Sequence, residues 1–554
     1  MERKEMNLKK LAKMIFTKYN LISLENKENT KKRNLAQCIT KISSQINKRL
    51  SIENFLMALI NKMYASKNQG VAYYVNYDLN QMTTQNNNYP KEFYPYKLEL
   101  ISVDKLIEEK YKGQKDMIYL TFAKMLMEKG NAYPCFCENN KNNGIHKINE
   151  GENLEIYDME CFDCKELSLE DIEVRLKNKQ NYCIKFSSNL KSDEIELNDE
   201  IFKTVKMEVK VKDFMILDYE MKPTFIFKQI IDDIIIQTDF VIYEEKWMDT
   251  YAIRHQIYAS LNIIEPKYAT IPQLMKKEGN NIKHFDLIND MYANLSFYQK
   301  VGFTYDTVVD YFLSAINPSF TKWREHNKDE FYTNYKLNLN EINKEGIILD
   351  ENKLNEIGQE KLTKRTNEAF VGELLTWTFD YDKELSREIN YDIFKFYNSL
   401  KLWRNEKSTG ISKLSDLRVK YGYLYLKDYK IVNYNFEKEF YAIALNFLTK
   451  LNNIYKHEWN LDLFSLHIDG ISKQINLDKK IKMQNVKSVK ATNFNEILKI
   501  ALTNSTNSIN EYEVIHYIGE DEFKERLKLC IQWLNNKIES ECIVNYNWHK
   551  SQIL

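Results

Sequence analysis

The sequence predicts an α/β fold in its first part and a mainly α-helical second half. Strand, helix and strand signals follow one another over residues 36–77, the beginning of a parallel α/β domain. The last proline of the 554 residues is Pro318, and beyond it long segments carry helical periodicity. Glycine and proline number only 14 and 7, far below average shares of roughly 7% and 5%, which excludes collagen-like and Pro/Gly-rich disordered classes. Length allows about three to five domains, and a 44% hydrophobic share is enough for several cores.

Taken in order, Leu8, Leu11, Met14 and Ile15 recur at three- and four-residue intervals and predict an amphipathic helix over 5–18. Residues 36–44 read as a short strand, 54–66 as a helix, and the β-branched and aromatic run 71–77 as the next strand. Two Asn-rich stretches, 80–89 and 138–153, read as surface loops. Near the end, Phe523, Leu527, Cys530, Ile531, Leu534 and Ile538 fall on one helical face. No fixed period recurs, so a solenoid is not expected.

Charge is balanced, 79 basic against 79 acidic side chains, so a charged partner must be met by a local patch. No apolar run reaches the ~18 residues a membrane helix needs, and the charged opening Met1–Glu5 has no apolar signal segment behind it. The expectation is a cytoplasmic chain with no membrane partner. Eight cysteines are too few for a disulfide scaffold of this size. There is no GxGxxG fingerprint, phosphate-binding P-loop, HExxH or GxSxG elbow, which removes the usual support for simple nucleotide folds and hydrolases.

Longer stretches are more informative: MEKGNAYPCFC at 127–137, KPTFIFKQIIDDIIIQTDFVIYEEKW at 222–247 and YQKVGFTYDTVVDYFLSAINPSFTKWREHN at 298–327. With NLKKLAKMIF at 7–16, SLEDIEVRLKNKQNYCIKF at 168–186 and LKIALTNSTNSINEYEVIHYIG at 498–519, they resemble a class I glutamate–tRNA ligase of the long clostridial type over nearly the whole chain. The resemblance implies a Rossmann-like class I synthetase catalytic domain with an inserted acceptor-stem subdomain and a helical anticodon-binding half. It divides the chain into an N-terminal helical extension (1–35), a first catalytic half (36–125), the insertion (126–220), a second catalytic half with a stem-contact region (221–330) and the helical region (331–554).

Against that pattern the catalytic signatures depart. Where the family has a PSPTG stretch and a HIGH-type tetrad that seat ATP, this chain reads Ser51-Ile52-Glu53-Asn54, with no glycine before Gly70 and no proline before Pro90. A glutamate where phosphates should lie adds repulsion. The KLSKR position holds His284-Phe285-Asp286-Leu287-Ile288, so Leu287 stands for the catalytic lysine; Lys276, Lys277 and Lys283 lie nearby at a different register. The family's RIEDTD becomes Val75-Asn76-Tyr77-Asp78-Leu79-Asn80, and its VIRGEEW becomes Val241-Ile242-Tyr243-Glu244-Glu245-Lys246-Trp247, which removes the arginine that pairs with the substrate carboxylate. Substrate-pocket positions implied by the resemblance are Val75, Tyr77, Phe225, Tyr243, Glu244 and Trp247.

These four replacements predict a pseudo-synthetase that has lost ATP-dependent aminoacylation and binds tRNA or a protein partner such as an active synthetase. The alternative is an active aminoacyl-tRNA ligase, or carboxylate activation in a specialised pathway, with a shifted lysine such as Lys283; ATP and Mg enter only in that case. Asp232 and Asp233 read as a solvent-facing or capping pair. Tyr73, Tyr74, Tyr77 and Tyr243 read either as strand and core packing or as an aromatic pocket.

Cys135, Cys137, Cys161 and Cys164 form two close pairs suited to tetrahedral zinc, a knuckle that some family members carry in the insertion. The other reading is an inherited PCFC with two unrelated cysteines. Residues 395–430 hold nine basic against three acidic side chains. The tRNA-binding candidates are Lys401, Arg404, Lys407, Lys413, Arg418 and Lys420, with Lys499 farther on, and Trp403, Tyr421, Tyr423 and Tyr425 as interleaved stacking platforms. A solvated Lys-rich face is the plainer reading of the same residues. Asn504-Ser505 stands where relatives have Gly-Arg.

Overall fold

The computed structural model describes residues 2–21, 39–44, 51–76, 101–102, 107, 111, 113–137, 145–147, 155–157, 161–187, 194–208, 213–285, 290–404, 410–427, 429–482, 491–506 and 509–551. The chain forms two compact units, Met1–Gln299 with Tyr305–Glu351, and Lys300–Thr304 with Asn352–Leu554.

In the first unit the strands are β1 (Ile39–Ser44), β2 (Val71–Asn76), β3 (Ile101–Ser102), β4 (Ala132–Cys135), β5 (Ile145–Lys147), β6 (Glu155–Tyr157), β7 (Cys183–Ser187) and β8 (Glu194–Asp199). They continue with β9 (Lys203–Glu208), β10 (Asp213–Leu217), β11 (Phe240–Glu244), β12 (Lys267–Ile271), β13 (Leu274–Glu278), β14 (Asn281–His284) and β15 (Ile347–Ile348). The main sheet has the order β3-β2-β1-β11-β12-β8-β9. All its pairings are parallel except β8 with the edge strand β9.

Helices of this unit are α1 (Glu2–Phe16), α2 (Ile52–Lys67), α3 (Lys115–Glu128), α4 (Phe162–Lys165), α5 (Leu169–Lys177), α6 (Phe225–Ile236) and α7 (Tyr251–Leu261). α8 (Leu295–Lys300), α9 (Tyr305–Ile316) and α10 (Pro318–His326) follow. The strand and helix expected over 36–44 and 54–66 are β1 and α2, and residues 36–38 lie outside the described set. Strand β11, FVIYE, is buried at every position because helices cover both faces of a parallel sheet, which is why it carries no polar alternation.

The insertion is not a separate body throughout. β4, β7 and β10 form their own three-stranded sheet, while the β8–β9 hairpin extends the main sheet through Tyr268↔Asp199. Asp199 anchors that junction: Thr270 Oγ1 donates to it at 2.7 Å, and the Ile201 and Phe202 amides at 2.8 and 2.9 Å.

Glycine scarcity has a visible local consequence. Gln237 and Asn262 occupy the left-handed position that ends α6 and α7, at φ 58° and 57°, where glycine is usual and an L side chain costs roughly 1–2 kcal/mol.

The second unit is helical: α11 (Glu351–Lys364), α12 (Asn367–Tyr381), α13 (Lys383–Tyr391), α14 (Ile393–Trp403), α15 (Asp416–Tyr425), α16 (Tyr441–Ile454), α17 (Leu461–Lys482), α18 (Ala491–Thr503), α19 (Glu511–Ile518) and α20 (Glu520–Ser551). Phe523, Leu527, Cys530 and Leu534 on α20 are all buried in its core, as the spacing predicts. Asn504 takes φ 59° just after α18, and its side chain accepts from the Asn435 amide at 2.8 Å and donates to the Asn433 carbonyl at 3.0 Å. Asparagine tolerates the left-handed turn that glycine would otherwise supply.

Candidate functional site

In an open parallel sheet a ligand crevice forms beyond the carboxyl ends of the strands, where the chain order reverses. Here β1 has β2 on one side and β11 on the other, so the reversal lies between β1 and β11. The residues placed there are the first turn of α2 and the end of β11.

Ser51 caps α2 by accepting from the Asn54 amide at 3.1 Å. Asn54, 4% exposed, donates from Nδ2 to Glu244 Oε1 at 2.9 Å, and Glu244 is 5% exposed. Beside this pair, Glu53 accepts from the Leu274 amide at 3.4 Å and Glu245 from the Gln273 amide at 3.2 Å. A helix N-terminus attracts anions; at α2 the anions are the chain's own carboxylates.

Behind the crevice lies a buried polar layer. Lys41 on β1 is 0% exposed, 2.7 Å from Asp233 on α6, and donates to the Gln229 carbonyl at 3.2 Å. The Tyr119 hydroxyl donates to Asp232 at 2.8 Å. The aspartate pair is therefore not a solvent-facing or capping feature, as the sequence suggested; it is buried and meets a lysine from a distant strand. Arg254, also buried, donates to Thr250 Oγ1 at 3.1 Å and to Gln229 Oε1, and its guanidinium lies 4.6 Å from the Tyr243 ring centroid. Tyr251 and Tyr268 stack at 4.5 Å in the same layer. Burial pushes the Tyr251, Tyr258 and Tyr268 phenols well above their ordinary value.

Of the expected substrate-pocket residues, Tyr243 is core, 1% exposed, and Phe225 packs on Trp247 at 5.5 Å. Val75 lies on β2; Tyr77 is outside the described residues. At the second ATP-signature position His284 is exposed at the end of β14 and the Phe285 amide donates to the Leu274 carbonyl at 3.4 Å, while Asp286, Leu287 and Ile288 are outside the described set. Two of the three lysines considered as substitutes are engaged locally. Lys276 pairs with Asp290 at 2.6 Å and Glu278 at 2.8 Å, and Lys283 pairs with Glu278 at 3.0 Å. These lysines pull the Glu278 carboxyl down to about 2.

Sequence spacing did bring the four cysteines together. The Sγ atoms of Cys135, Cys137, Cys161 and Cys164 all lie within 4.8 Å of one another, with Cys137 at 3.3 Å from Cys161 and 3.6 Å from Cys164. A tetrahedral site with Zn–S of about 2.3 Å places sulfurs about 3.8 Å apart, so the set fits.

In the helical unit the expected phosphate ligands have varied surroundings. Lys401 is exposed in the last turn of α14. Arg404 donates to the Leu362 carbonyl at 3.0 Å, to the Arg365 carbonyl and to Asn367 Oδ1, closing the end of α11. Arg418 forks onto Asp382 with two 2.7 Å bonds and reaches Glu384 at 2.7 Å. Lys413 stands 3.5 Å from Asn355 and 3.6 Å from Asp416, Lys420 donates to the Gly410 carbonyl, and Lys499 is 4.0 Å from Glu511. Lys407 lies outside the described residues. Trp403, Tyr423 and Tyr425 are buried, and Trp403 Nε1 donates to Tyr425 Oη at 2.7 Å, so these rings are core and not exposed stacking platforms.

Sequence reading missed Lys41 and the Asn54–Glu244 contact. A lone lysine inside a central strand was the available signal for the first; the second joins residues 190 positions apart and had none.

A parallel switch-point sheet carrying an insertion, ahead of a helical unit, defines a class I synthetase architecture. Residues 47–373 match the family model of class I tRNA synthetases (E and Q), catalytic domain, and the chain belongs to that family. It is 27% identical to the glutamate–tRNA ligase of Clostridium perfringens strain SM101 over 75% of this chain and 78% of that protein. Identity to the Clostridium beijerinckii glutamate–tRNA ligase is 24%, over 94% of this chain and 99% of that one. The crystal structure of glutamate–tRNA synthetase from Elizabethkingia anophelis matches in fold with a TM-score of 0.63 at 15% identity, covering 90% of this chain and all of that one. Family membership supports binding of tRNA, and the family uses ATP and Mg. No described helix is long and apolar enough to cross a membrane.

Proposed function

We propose that this chain is a glutamyl-tRNA synthetase-like protein that has lost ATP-dependent aminoacylation and retains the fold to bind tRNA. The Asn54–Glu244 hydrogen bond carries this reading. It joins the two positions where the family resemblance implies an ATP-seating histidine and a pocket glycine. The two replacements meet there, the buried Asn54 amide donating to one oxygen of the buried Glu244 carboxylate. Adding phosphates there requires breaking that bond beside a buried negative charge, a penalty of several kcal/mol.

The helical unit is the tRNA-facing part in this reading, with Lys401 and Lys420 the exposed ones among its described candidate cations. The cysteine set Cys135, Cys137, Cys161 and Cys164 takes zinc, which stabilises the knuckle in the insertion by cross-linking β4 to α4.

The test is ATP–pyrophosphate exchange with glutamate and tRNA, run beside a clostridial family member. We expect no exchange above background. Exchange at catalytic enzyme concentrations overturns the loss of activity and favours the active ligase. Filter retention of tRNA over a salt series tests the binding half: affinity that falls with salt supports it, and no retention at low salt points instead to a protein partner.

A further inference from the structure

The metal-ligating cysteines have a neighbour that the spacing did not single out. Cys183 on β7 is the direct cross-strand partner of Cys135 on β4, and the two are 0% and 1% exposed. Directly opposed residues on an antiparallel pair point to the same face. The two buried side chains therefore share one face of the sheet, next to each other. The Tyr219 hydroxyl donates to the Cys137 carbonyl at 2.7 Å. Cys183 beside Cys135 and the Tyr219 hydroxyl on the Cys137 carbonyl thus bracket the Cys135-Phe136-Cys137 turn. From the other side the Phe136 amide donates to Cys164 Sγ at 3.3 Å, and Gln180 donates to the Phe136 carbonyl at 3.4 Å.

Four thiolates around one divalent cation leave a surplus of negative charge in a buried place. Such charge is tolerated only where donors meet it, and partners behind the ligands typically govern metal affinity by 10–100-fold. Cys183 is not in the set of four whose ligand atoms lie within 4.8 Å of one another, and tetrahedral zinc has no use for a fifth sulfur.

We propose that Cys183 is a positioning residue of the metal site: an S–H donor to Cys135 that, with Tyr219, holds the Cys135–Cys137 knuckle in ligating geometry. The proposal rests on the zinc reading given above. Its role is to orient and partly neutralise one ligand without touching the metal.

The experiment loads full-length protein with Co(II) and measures the sulfur-to-cobalt charge-transfer band, then determines Zn(II) affinity by competition with a chromophoric chelator. Wild type, Cys183→Ala, Cys183→Ser and Tyr219→Phe are compared. Expected are an unchanged band intensity in all four, a shifted band and roughly tenfold weaker zinc in Cys183→Ala, and partial rescue in Cys183→Ser, which keeps an O–H donor. Tyr219→Phe, at a half-buried position, weakens zinc in the same direction and serves if the buried Cys183 variants do not fold. Unchanged affinity and band position in Cys183→Ala and Tyr219→Phe overturn the proposal in favour of plain packing. A loss of about a quarter of the band in the Cys183 variants overturns it in favour of direct ligation. A wild type that gives no band and retains no zinc overturns the zinc reading itself, and the proposal with it.

Discussion

Replacing Lys41 with methionine isolates the charge that joins the centre of the sheet to α6. Its ammonium and the Asp233 carboxylate are 2.7 Å apart with side chains 0% and 2% exposed. At that separation and an effective dielectric of about 20, the Coulomb attraction is about 6 kcal/mol, most of it offset by desolvation of both ions. Methionine keeps the length and removes the charge, so Asp233 is left buried without its nearest cation. Breaking a buried pair in this way typically costs about 3–5 kcal/mol. Arg254 also acts on Asp233 electrostatically, which places the expected loss near the lower end, about 3 kcal/mol. Because the chain has two units, a single melting temperature mixes them. Hydrogen exchange of peptides covering β1 and α6 reads the first unit directly. The double variant Lys41→Met/Asp233→Leu should recover most of the loss, because no unpaired ion remains. A single variant that loses under about 1 kcal/mol, or a double variant no better than the single, would refute the view that this pair anchors the sheet.

Other outcomes follow from the same structure. His255 hydrogen-bonds Glu265 at 3.1 Å, which raises its imidazole pKa above the ordinary value. Its stabilisation is therefore fully present below about pH 6.5 and lost as pH rises through the raised value. Solvent screening holds it to about 0.5 kcal/mol, and His255→Gln should flatten that part of the pH–stability profile. Lys401→Ala should lower the salt slope of tRNA binding by about one. Arg404→Met should instead destabilise the helical unit by about 1–3 kcal/mol, since three acceptors lose a half-buried donor, with little change in that slope. Glu244→Gln keeps a carbonyl acceptor for Asn54 and should leave exchange activity at background; exchange appearing in this variant would show that the carboxylate alone had blocked ATP.

The elements themselves were largely legible, because hydrophobic spacing is local. β1, α2, β2 and the buried face of α20 lie where periodicity and β-propensity put them. The cysteine cluster was legible too, since two short spacings bring thiols into pairs and the resemblance ties the pairs to one subdomain. The basic stretch at 395–430 was legible as composition only. A sequence counts charges, but whether a guanidinium faces solvent depends on which helix ends and carboxylates the fold presents to it. Arg404 meets the carbonyls at the end of α11 and Arg418 meets Asp382 and Glu384, all more than 30 residues away in the chain. The aromatic residues beside them went the same way: their alternation with lysines suggested a surface, and packing made three of them core.

What the sequence determined by itself is the family and the order of α/β and helical parts. Those are properties of residue identity along the chain. Only the tertiary structure decided which buried groups meet: that Asn54 clasps Glu244, that Lys41 answers Asp233, and that Cys183 stands beside Cys135. The reason is physical. A buried polar group must find its partner within about 3 Å, and in a parallel sheet with long crossovers that partner comes from strands and helices far apart in sequence.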